Sequence, residues 1–197
     1  MIATSDLLSL VKESRSVRGF DENFWLHRED LIPLIEAARC CPSGANRQPL
    51  KYALVYEQDK VRQVRPLLHW AMALKELHLP HPGMQPTAMV VICQDLNVLP
   101  GVKAADKDVG ICAQTIMLMA KTQGLGGCMI ATFTQADLSR VLNLPDHLKP
   151  LLVLALGKPK EKIVLTDVVD GNTNYYRDAN DVHYVPKRAL EDLIAVG

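Results

Sequence analysis

Aromatic side chains are scarce in this chain, at 5% of residues, and neither charge sign predominates, with 22 lysine plus arginine against 22 aspartate plus glutamate. A formal charge of zero removes the attraction that nucleic acid or an anionic membrane exploits, and few aromatics leave little for base stacking. Neither is expected as a partner, although a local basic pocket for one phosphate remains compatible with the balance. No apolar run approaches the length of a membrane span, and residues 1–6 lack the basic region and long apolar core of a secretion signal. A cytoplasmic location is therefore expected. The five cysteines (Cys40, Cys41, Cys93, Cys112, Cys128) form no CxxC pair, and four lie in or beside apolar runs. They read as buried thiols rather than disulfides or zinc ligands. Repeats, low-complexity tracts and linkers are also absent, so residues 1–197 are expected to form one domain with its own core.

Hydrophobic periodicity supplies the elements. Leu7, Leu8, Leu10 and Val11 form a stripe on a short helix capped near Ser5 and Asp6. A second helix spans Glu29–Arg39, with Pro33 tolerable if it falls near the start, and a third begins at Asp59 and runs past Val64. Residues 51–56, 88–93 and 151–157 read as strands, the last two apolar enough to be interior. From about Ala105 to Gln123 runs a helix with almost no polar face, which must be covered on all sides, either by a second subunit or within one. Thr134 and Asp137 open a short helix with a capping-box pattern. The tail from Glu161 is polar and turn-rich, and a helix-like run closes it from Lys187 to Val196.

Three loops carry groups suited to a ligand. Cys41–Leu50 contains Pro42 as a helix stop, Gly44 for unusual backbone angles, and Ser43, Asn46 and Gln48 as mixed donors and acceptors. Such a loop suits the edge of a flat heterocycle, or serves as a polar connector. Arg15-Ser16-Val17-Arg18-Gly19-Phe20 offers two planar guanidinium forks and a hydroxyl, which suit phosphate or a solvated surface. Gly124, Gly126 and Gly127 permit a tight turn and close backbone approach before a strand through Met129, Ile130 and Ala131. This is no dinucleotide fingerprint, because it follows a helix and precedes a strand. His69, His78 and His81 flank a loop over 71–86 that reads as a lid or substrate-side insert. Without a carboxylate or thiol among them they do not make a metal site.

Taken in chain order, Arg15–Phe20 first, Pro42–Pro49 second and Gly124–Ala131 third, the segments resemble those of the FMN-dependent nitroreductase family, over nearly the whole chain. The resemblance implies an α+β fold, a central mixed β-sheet flanked by helices in an intertwined homodimer, with FMN at the subunit interface. Arg15, Ser16 and Arg18 would hold the phosphate and pyrimidine side of FMN. Pro42, Ser43, Ala45, Asn46 and Gln48 would reach the flavin ring from the other subunit. Met129, Ile130 and Ala131 would lie against the ring, with Gly126 and Gly127 shaping the approach. Lys158, or alternatively Lys162 or Arg177, would complete the phosphate site, and the tail from about 161 to 197 would wrap the partner. Two departures stand out: Ser14 replaces an arginine common in the family, and Met129 replaces an aromatic.

The implied activity is transfer of two electrons from NADH or NADPH through the flavin to a small oxidised acceptor, nitroaromatic- or quinone-like. Protein groups would position and polarise, in keeping with the lack of a nucleophilic triad. Two alternatives keep the fold: an enzyme that dehalogenates or fragments flavin, and a flavin-binding protein without turnover.

Overall fold

The computed structural model describes residues 2–72, 74, 76–101 and 105–196. Four strands form the central sheet: β1 (Leu50–Val55), β2 (Ala88–Asp95), β3 (Gly126–Ile130) and β4 (Leu148–Gly157), in the order β1-β2-β4-β3. All three pairings are antiparallel, so the parallel component of the mixed sheet comes from a bridge between Ser16 and Gly127 at the β3 edge. Every residue of β2 is buried, which accounts for its unbroken apolar run.

Alternation along β2 and β4 divides the core. Val90, Ile92, Leu154 and Leu156 face α2 (Arg28–Arg39) and α4 (Asp106–Thr122), whereas Met89, Val91, Val153 and Ala155 face α3 (Gln58–Val64) and α5 (Gln135–Leu142). In α4 one stripe, including Val109, Cys112, Ala113, Ile116 and Met117, is buried, while Ile111 on another face is 39% exposed. The uncovered face also carries Asp106, Lys107 and Gln114, so the helix has a polar face after all, with Ile111 as its one exposed large apolar side chain. The first helix, α1 (Thr4–Glu13), buries none of its residues and leaves Leu7 and Leu8 half exposed.

Some local expectations change. Helix α2 starts at Arg28, so Pro33 lies in its second turn and the exposed Glu29 forgoes a backbone donor there. Thr134 makes no side-chain cap to α5, and the Asp137 carboxylate pairs with Arg140. The largest revision concerns the tail. Its residues form a second sheet, β5 (Ile163–Asp167), β6 (Tyr176–Arg177) and β7 (His183–Lys187), ordered β5-β7-β6 with β5 and β7 parallel. The run from Lys187 contains only a single 3-10 turn at Glu191–Leu193, because Leu190, Leu193, Ile194 and Val196 find no packing surface in the chain and stay exposed.

Candidate functional site

The first and third sequence segments meet. Residues 15–18 run alongside the start of β3, and the Val17 N–H donates to the Gly127 carbonyl at 2.8 Å. This contact explains one glycine, since a Cβ on Gly126 would lie 2.7 Å from Val17 Cγ2, while β4 explains the next, since one on Gly127 would lie 2.4 Å from the Ala155 carbonyl oxygen. Of the three glycines in this turn, Gly124, with φ of +72°, is the one that needs glycine for its conformation.

On one side of this junction a cavity of about 280 Å³ is lined by Ser14, Arg15, Met117, Gly126, Pro159 and Glu161, among others. Arg15 Nη2 donates to the Val11 carbonyl at 2.7 Å, its buried Nε has no acceptor among the described residues, and burial pulls the guanidinium below its ordinary pKa. On the other side a cavity of about 100 Å³ is lined by Arg18, Trp70, Tyr175 and the stretch Cys128–Thr132, which includes Met129, Ile130 and Ala131. Burial raises the Cys128 thiol's pKa, leaving it a packing group.

Arg18 is 9% exposed and has no ion-pair partner among the described residues. Its Nη1 donates to the Ser16 carbonyl at 3.3 Å and lies 3.3 Å from His183 Nε2, while the Tyr175 ring centroid is 4.9 Å from its guanidinium carbon. The Arg18 Nε is buried without an acceptor. An unpaired buried cation is costly, and the cavity it lines is the place for a compensating acceptor or anion.

The second segment lies elsewhere. Pro42–Pro49 sits at the N-terminal end of α4, where the Asp108 carboxylate accepts Ser43 Oγ at 2.5 Å and the Gly44 N–H at 3.2 Å. Ser43 Oγ in turn accepts the Gln48 N–H at 2.9 Å. The unusual angles expected at Gly44 fall instead on Ala45, Asn46 and Gln48, all with positive φ. The Gln48 amide folds back on Asn46 Oδ1 at 3.1 Å. Ser14 touches the Met117 carbonyl near the other end of α4, nine residues or about 14 Å along the axis from Asp108. No residue of 42–49 lines either arginine's cavity, so one chain does not bring the loop to Arg15 and Arg18.

Lys158 points away from both cavities, its ammonium 5.3 Å from the centre of the Phe24 ring. Arg177 is committed to Glu161 and to Asp181, and Lys162 contributes its carbonyl to the His183 N–H. The 71–86 insert, of which 73 and 75 lie outside the described residues, is pinned by Phe20 N–H to the Met84 carbonyl at 3.0 Å and by Gln85 N–H to Glu22 at 2.7 Å. Asp108, Tyr175 and His183 were not legible as site residues. Asp108 is one of two acids in the first turn of α4, a common place for them, and nothing in the polar tail marked Tyr175 or His183. Among the described residues no group of three or more His, Cys, Asp or Glu could hold a metal, and no helix is long and apolar enough to cross a membrane.

Comparison with known proteins bears on the family and the fold. Residues 11–158 match the nitroreductase family. A protein of Methanothermobacter thermautotrophicus with the provisional name NADH dehydrogenase/NAD(P)H nitroreductase is 25% identical over 174 residues, covering 86% of this chain and 85% of the relative. A crystal structure of a Parabacteroides distasonis protein with the same provisional name superposes with a TM-score of 0.63 at 26% identity, covering 79% of this chain and 88% of that one. An FMN-dependent nitroreductase from Clostridium difficile shares the fold, with a TM-score of 0.64 at 18% identity and coverage of 79% and 88%. The antiparallel central sheet flanked by helices thus has the α+β fold of these proteins. The chain belongs to the nitroreductase family.

Proposed function

We propose that this protein binds FMN between two copies of the chain and uses it to pass two electrons from NADH or NADPH to a small oxidised acceptor. The observation that carries this reading is Arg18: a buried, unpaired guanidinium with an orphaned Nε, lining a cavity against the backbone of residues 128–132. Its donor set matches a ligand edge rich in acceptors, which fits the pyrimidine side of a flavin. Arg15, with its own orphaned Nε in the adjoining cavity, suits the phosphate end. Bound FMN would supply the two-electron chemistry.

The chain's residues would bind, orient and exclude water. Arg18 fixes one edge, and the 129–131 backbone forms a wall. The Ser43–Gln48 loop, held by Asp108, would come from the second copy, since it is remote from Arg18 within one chain. The exposed apolar stripe of α1, Ile111 of α4 and the apolar end of the tail are surfaces such a copy would cover. The relatives' names, NAD(P)H nitroreductase and FMN-dependent nitroreductase, support the same reading.

The purified protein should be yellow, or become so with added FMN, and its absorbance should bleach with NADH or NADPH. A protein that takes up no FMN would overturn the reading. Arg18→Met should weaken FMN binding about tenfold or more by removing a charge-assisted contact, and fluorescence titration would measure it. Flavin binding with no reduction by either nicotinamide would favour a non-catalytic flavoprotein.

A further inference from the structure

Between the Arg15–Phe20 segment and the tail sheet lies a buried cluster in which charges are sorted. The Glu161 carboxylate is fully engaged: Oε1 accepts the Arg18 backbone N–H at 2.5 Å, and Oε2 pairs with the Arg177 guanidinium. Both side chains are almost wholly buried, at 2% and 3% exposure. The guanidinium of Arg18, by contrast, meets only neutral groups, namely the Ser16 carbonyl, His183 Nε2 and the face of Tyr175.

That set fixes the state of His183. A guanidinium can only donate, so the Nε2 facing it must be the bare nitrogen, and the ring proton sits on Nδ1. There it finds no acceptor among the described residues. Burial first, then the charges of Arg18 and Arg177, depress His183 to about 4, which keeps the ring neutral at ordinary pH. A carboxylate in its place would hold Arg18 more tightly but neutralise it. A neutral holder fixes the fork and leaves its charge for a ligand, with the tyrosine face offsetting part of the desolvation.

We propose that His183 and Tyr175 are positioning residues that present Arg18 as an unquenched cation to the flavin, while Arg177 keeps Glu161 from neutralising it. This rests on the FMN reading above. Tyr175, Arg177 and His183 all lie beyond the residues 11–158 that match the family, so the device belongs to this chain's own tail sheet.

The first test needs no variant: long-range proton–nitrogen NMR of the FMN-free protein should show His183 as the Nδ1–H tautomer. The second compares His183→Gln, which keeps a neutral acceptor, with His183→Glu, which adds a carboxylate. FMN affinity should stay within about threefold of wild type in the first and fall about tenfold or more in the second. The midpoint potential of bound FMN should become more negative in His183→Glu alone, because the more negative reduced ligand loses more from a quenched cation. Tyr175→Leu, at a half-buried position, should weaken FMN about threefold or more through loss of the cation–π contact, and it serves if His183→Glu does not fold. An Nε2–H tautomer, equal losses in Gln and Glu variants of equal thermal stability, or an unchanged Tyr175→Leu would overturn the proposal. Absence of FMN binding by the wild type would overturn the underlying reading as well, whereas the wrong tautomer with normal FMN binding would overturn this proposal alone.

Discussion

The hydroxyl of Ser43 gives its proton to Asp108 and one lone pair to the Gln48 N–H, so a single acceptor site is left for any ligand. From sequence it is one of several polar groups in a loop; in the fold it is a brace. His183 shows the same gap more sharply, as a ring at 1% exposure in a tail whose sequence read only as polar and turn-rich. Its folded pKa of about 4 lies below the ordinary 6.5, so between these values the unfolded chain binds more protons than the folded one. Stability attributable to this group is intact above about pH 6.5 and falls as pH drops toward 4, by at most about 3 kcal/mol. Denaturant midpoints at pH 7 and pH 5 should therefore differ, and His183→Gln should flatten the difference. An equal slope in that variant would exclude His183 as its source. The Asp178 carboxylate, held below its usual range first by the Val182 N–H, acts only at lower pH and does not confuse the window.

Among the elements, β2 and α4 were readable because burial demands apolar residues at fixed periods, 2 for a strand and 3.6 for a helix. The loop of 42–49 was readable as a loop only. Its backbone bends at Ala45, Asn46 and Gln48, where left-handed angles cost about 1 kcal/mol or more each. Local sequence would have placed the bend at Gly44. What overrides it is a contact from 65 residues away: the Asp108 carboxylate, at 8% exposure, captures Ser43 and Gly44 and fixes the loop against α4. Asp108→Ala should cost about 1–3 kcal/mol through the orphaned Ser43 and Gly44 groups and accelerate amide exchange at Gly44 and Gln48 while sparing β2. Unchanged exchange at those two amides would show that the loop holds itself. The tail sheet was not readable at all. Strands β6 and β7 are two and five residues long, and their stabilising partners are Arg18 and Glu161, distant in sequence.

At the scale of the molecule, the Ser43–Gln48 loop lines neither the cavity of Arg15 nor that of Arg18, and α1 leaves its apolar stripe exposed. A flavin site drawing on the loop and the arginines then requires two chains. Light scattering should give a mass near twice 21.8 kDa, and dilution that separates the copies should release FMN with the same concentration dependence. A monomer that retains FMN would refute the shared site.

By itself the sequence determined the family and the core: the ordered motifs, the interior strands and the helix periods are local or composition-driven, and burial enforces them residue by residue. Tertiary structure alone decided which arginine stays unpaired, which acid braces the loop, and that the polar tail folds back as a sheet on Arg18. Those outcomes depend on contacts between residues as many as 165 positions apart, as for Arg18 and His183. No window of the sequence contains both members of such a pair, and only the packed chain sets which of several equally polar candidates meet.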